Sequence, residues 1–84
     1  MMTVEDYEAR LEMLRERVVG LLEAYYRHIT HPPDQTMRYL RETYCEAVVC
    51  YSIMSGVDAL EVSRTAQKAV DERKKANDEA NQHD

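Results

Sequence analysis

The sequence predicts an all-α fold, a three-helix antiparallel unit, and two observations carry that prediction. Apolar residues recur at alternating spacings of three and four, the repeat of a helix packed on a helix. The pattern is interrupted in two places, at THPP (residues 30–33) and SG (residues 55–56), which leaves helices of about residues 3–30, 34–54 and 58–80. The 84 residues make one domain, 1–84, with a solvated and fraying tail from about residue 76. A domain this small buries a modest fraction of its surface, so homodimerisation is expected to complete its core.

The first helix should start at Thr3. TVED puts a threonine at the N-cap and an acid three residues on, a variant of the capping box. Val4, Tyr7, Leu11, Leu14, Val18, Leu21 and Tyr25 then form an unbroken seam, and from Val18 onward a second stripe joins it: Val19, Leu22, Tyr26 and Ile29. The second helix follows Pro32 and Pro33, with Asp34 in or before its first turn. Its seam is Met37, Leu40, Tyr44, Ala47, Tyr51 and Met54, and its second half is apolar nearly all round, which predicts a helix surrounded by neighbours. Gly56 suits the position after a helix end. Asp58 then reads as the N-cap of the third helix, with Glu61 three residues on and Val57 stapled to Val62. The third seam, Ala59, Val62, Ala66 and Ala69 with Val70 beside it, is built of small residues, and DERKKANDEANQHD beyond it has no large apolar side chain.

Short loops make successive helices antiparallel. On that arrangement the wide apolar face of helix 1 lies opposite the polar tail of helix 3. It should lack a partner in its own chain, and such a patch marks an interface. The expected protein-binding surface is Val19, Leu22, Tyr25, Tyr26 and Ile29, with Met37 and Tyr39.

Charge narrows the function. The net charge of −5 is spread evenly, with six acids and four bases in residues 1–31, three and two in 32–55, and seven and five in 56–84. No basic patch neutralises phosphates, so nucleic acid is an unfavoured partner. The N-terminus is charged where a signal peptide needs an apolar core, and no apolar run approaches the roughly 20 residues of a membrane helix. A cytoplasmic location is expected, with no membrane partner. Cys45 and Cys50 are five apart, about 140° on a helix, and read as two buried free thiols. Glu46 reads as a solvent-facing acid at the edge of its helix. His28 and His31 share a helix face, but no cysteine lies near in sequence to complete a zinc set. Two glycines in the whole chain allow no phosphate-cradling loop. No metal or cofactor is expected.

These residues describe a small protein-binding module without catalytic activity. It would act by occupying a surface of something larger, as an inhibitor, a neutraliser or an adaptor. Short free-standing chains of this kind are often carried by phages and mobile elements, which is a general expectation about such chains and not a reading of any residue.

RETYCEAVVCY, followed by GVDALEVSRTAQKAVDERKKAN, resembles the second half of the all-α NTP pyrophosphohydrolases of the MazG-like group. Over residues 16–77 that resemblance implies an alternative: magnesium held against a nucleotide's phosphates by Glu16 and Glu23 on one helix and Glu42 and Glu46 on the next. The family pattern also wants acids where this chain has Arg17, Gly20 and Thr43. Without them magnesium would have fewer carboxylates beside the substrate oxygens.

Overall fold

A computed structural model describes residues 1–81. It contains three helices: α1 (Val4–Arg27), α2 (Gln35–Ser55) and α3 (Ala59–Asn81). Residues 82–84, the end of the expected tail, lie outside the described residues.

Local chemistry explains the boundaries of α1 and α2. Thr3 caps α1 through a full capping box: its hydroxyl accepts from the Asp6 N–H at 3.0 Å, and the Asp6 carboxylate accepts from the Thr3 N–H at 3.4 Å. The helix stops at Arg27, earlier than the periodicity suggests, because His28 leaves the helical region and closes the end with its own N–H on the Tyr25 carbonyl. His28 and His31 therefore do not share a helix face. α2 is capped by Asp34, whose carboxylate accepts from the Met37 N–H at 2.7 Å. It ends at Gly56, which takes the left-handed conformation at φ 77. The Ser52 hydroxyl donates to the Val57 carbonyl at 2.6 Å, and the Val57 N–H donates to the Ser55 hydroxyl at 3.2 Å, so the second connection is held by the serines before it.

Asp34 also joins the two helices. Both of its carboxylate oxygens lie within 3.2 Å of His28 Nε2, and its N–H donates to Thr30 Oγ1 at 2.9 Å. The bond from the Met37 N–H, and then the His28 contact, hold its pKa below the ordinary 3.8. The sign follows from the lowered value. Asp34 contributes stability that is complete above pH 3.8 and is lost as pH falls through the lower folded value. Asp34→Asn keeps a capping oxygen but no longer titrates there. Its melting temperature should fall less steeply than wild type below about pH 4, measured by thermal melts across an acid series. Parallel curves would remove Asp34 from the acid response.

α1 and α2 form an antiparallel hairpin. Tyr7 near the start of α1 donates its hydroxyl to the Met54 carbonyl near the end of α2. At the other end Met37 Sδ receives the Thr30 N–H at 3.4 Å. α3 packs on the middle of this hairpin. The Tyr44 and Ser63 hydroxyls pair at 2.9 Å, Tyr26 donates to Gln67 Oε1, and Arg73 reaches Glu16 and Glu23 of α1.

The core is small and central: Val18, Val19 and Leu22 of α1, Ala47 and Val48 of α2, and Val62, Ala66 and Val70 of α3. The small residues on α3 let it approach closely but bury little area each. The bundle is elongated, with a radius of gyration of 14.9 Å against about 12 Å for a compact chain of this length. Part of that length is the end of α3, where every described residue from Asp71 to Asn81 is exposed.

Candidate functional site

The seven residues expected to form an interface divide into two groups. Val19 and Leu22 are 3% and 5% exposed and belong to the core. The expectation for them fails because α3 does not lie level with the hairpin end to end. Its apolar stretch, Val62 to Val70, packs across the middle of α1 and covers them from within the chain. Tyr25 and Met37 are half-buried, whereas Tyr26, Ile29 and Tyr39 are exposed. The rings of Tyr25 and Tyr26 meet at 5.8 Å, tilted by 54°. What remains is a surface at the end of the molecule where α1 passes into α2. Ile29 is 46% exposed there and Tyr39, on the outer side of α2, 63%.

A second apolar surface lies where none was expected. The later half of α2 is not enclosed by neighbours. Ala47 and Val48 are buried, but Val49 is 51% and Ile53 76% exposed, with Cys45 and Cys50 also exposed. The two cysteines are free thiols, and neither is buried. Residues 45, 49 and 53 recur at four-residue spacing and share one side of the helix. That side also carries Glu42 and Glu46, both exposed, as expected for Glu46. Apolar composition alone does not say whether a helix is surrounded. The clue was the seam itself: Tyr44, Ala47 and Tyr51 already assign the inward side, so Val49 and Ile53 must point elsewhere.

The carboxylates named by the pyrophosphohydrolase resemblance are arranged differently from a metal site. Glu16 and Glu23 are two turns apart on one side of α1, and Arg73 of α3 sits between them. Its Nη1 lies 2.6 Å from Glu23 and its Nη2 2.9 Å from Glu16. Glu23 also meets Arg27 at 3.2 Å. The hydrogen bonds to Glu16 and then to Glu23 hold the Arg73 pKa above its ordinary value. Glu42 and Glu46 are on the outer side of α2, in a shallow depression with Arg38, Arg41 and Cys45. Among the described residues no three His, Cys, Asp or Glu side chains come together as a metal set. The Arg73 contact was not anticipated, because a charge-rich run such as DERKK reads as solvated until the crossing of α3 is known.

An open cavity of about 380 Å³ is lined by α1 and α3, with Tyr51 of α2 and Val57 of the second connection. Val18, Val19, Val62 and Ala66 contribute apolar walls, with Arg15, Lys68 and Glu72 also lining it. No helix among the described residues is long and apolar enough to cross a membrane.

No family model, curated protein or solved structure matches the chain.

Proposed function

We propose that this protein is a small binding module that acts by occupying a surface of a larger protein or complex. The contact is made by the exposed side chains where α1 passes into α2: Tyr26, Ile29 and Tyr39, with Tyr25 and Met37 behind them. The observation that carries this reading is the exposure of Ile29 and Tyr39, 46% and 63%, beside a hairpin turn braced by Asp34. Tyrosines supply large contact area at low conformational cost and are enriched where proteins meet. The bracing means little order must be gained on binding. Action as an inhibitor, neutraliser or adaptor in a cytoplasm, of the kind phages and mobile elements carry, fits such a module.

Ile29→Ser with Tyr39→Ser tests the reading, since both side chains face solvent and the fold should be kept. Affinity capture with the tagged wild-type chain should retain a discrete partner that the double variant loses while its circular dichroism stays the same. Equal retention by both proteins would overturn the assignment. A magnesium-dependent rise in melting temperature together with pyrophosphate release from nucleotides would instead favour the pyrophosphohydrolase alternative.

A further inference from the structure

We propose that the open cavity lined by α1 and α3 is a binding site for a small amphipathic acid, a molecule with one carboxylate on an apolar chain. The site is separate from the hairpin end assigned above, and its occupant is a small molecule, not a protein.

The side chains explain why the space is there. α1 brings Val18 and Val19 to the cavity, and α3 brings Val62, Ala66 and Ala69. Alanines set against valines let two helices approach but fill little volume between them. A close-packed interior leaves few voids larger than a water molecule. This opening holds about 380 Å³, inside the range of roughly 300–1,000 Å³ found for small-ligand clefts. Its apolar wall is the core itself, since Val18, Val19, Val62 and Ala66 are between 2% and 6% exposed. A wall already fixed by core packing needs little ordering to accept a ligand.

The charges select the head group. Three charged side chains line the cavity, and two of them, Arg15 and Lys68, are cations. The third, Glu72, stands one turn beyond Lys68 on α3, yet Lys68 has no ion-pair partner among the described residues. Arg15 meets Glu12 at 3.8 Å with both side chains more than half exposed, a contact worth little in water. The mouth is therefore net positive in a chain whose net charge is −5. An apolar tail against the valines and alanines, with its carboxylate at Lys68 and Arg15, satisfies both features. A cationic amphiphile would meet like charge at the mouth, and a neutral one would leave the two cations unused.

The test is a titration of the whole chain with decanoate, followed by methyl NMR and by thermal melting. The methyl signals of Val19, Val62 and Ala69 should shift to saturation with a Kd below about 1 mM, and the melting temperature should rise with ligand. Decanol and decyltrimethylammonium carry the same tail and should bind at least about tenfold more weakly, the worth of one charge-assisted contact. Arg15→Glu with Lys68→Glu should lose the preference for the acid with unchanged helical circular dichroism, because both side chains are exposed. Ala69→Leu fills the cavity and should lose decanoate binding. If that variant fails to fold, the charge variant and the location of the methyl shifts decide. No saturating shift up to about 10 mM decanoate would overturn the proposal. So would shifts centred on Val49 and Ile53, equal binding of the three probes, a preference that survives the charge change, or a folded Ala69→Leu chain that binds as wild type does.

Discussion

Val19→Glu should abolish folding, not merely association. Val19 is 3% exposed and packs among Val18, Leu22 and the α3 residues Val62 and Ala66. A carboxylate there would have to be ionised without a partner or enter protonated, and either costs several kcal/mol. Loss of the valine's own burial adds about 1.5–3 kcal/mol. An 84-residue domain has roughly 4–12 kcal/mol of stability in all, and this core is at the small end. The variant should lose its cooperative thermal transition and most of its helical circular dichroism. Val49→Glu makes the same chemical change one helix away, on an exposed side chain, and should leave the folded signal in place. A Val19→Glu chain that melts near the wild-type temperature would mean that α3 does not cover this side of α1.

Gly56→Ala should lower stability by about 1–2 kcal/mol, because an L-residue pays that amount to hold the left-handed conformation found at φ 77. The cost is one of backbone conformation, since a Cβ at Gly56 would meet nothing within 4 Å. For a domain of this size the melting temperature should drop by about 5–15 °C. Gly20 provides the control. It is exposed in the interior of α1, and a Cβ there also meets nothing within 4 Å. Gly20→Ala should therefore stabilise by roughly 0.5–1 kcal/mol. Thermal melts of the two variants should move in opposite directions. A shift of the same sign in both would show that the end of α2 does not depend on the glycine.

Much of the fold was legible in the sequence because helix ends are written in local chemistry. Thr3 with Asp6, Asp34 and Gly56 each act within a few residues of themselves, and each marks its boundary as read. The seams of α1 and α2 were legible for the same reason. What was not legible is how α3 lies on the hairpin. Its small residues, Ala59, Ala66 and Ala69, permit close packing but do not fix where on α1 it occurs. That one missing placement explains several misreadings together. It put Val19 and Leu22 on the surface and left Arg73 in solvent, whereas the enclosed later half of α2 was a reading of apolar composition alone. Of the expected site, Ile29 and Tyr39 keep their exposure because they lie near the turn, beyond the reach of the α3 core residues, and Tyr26 stays exposed although its hydroxyl meets Gln67 of α3.

The exposed end of α3 sets a distance. From Asp71 to Asn81 the chain stays helical with all eleven residues in solvent, which at 1.5 Å per residue is an arm of roughly 16 Å. A flexible segment of equal length would let whatever it touches wander back over the hairpin. A helical one, pinned at its base by Arg73 between Glu16 and Glu23, holds its far end away from the core in a fixed direction. The molecule is thus a packed body with a stiff spacer, whose tip stands at a set distance from the last core residue, Val70.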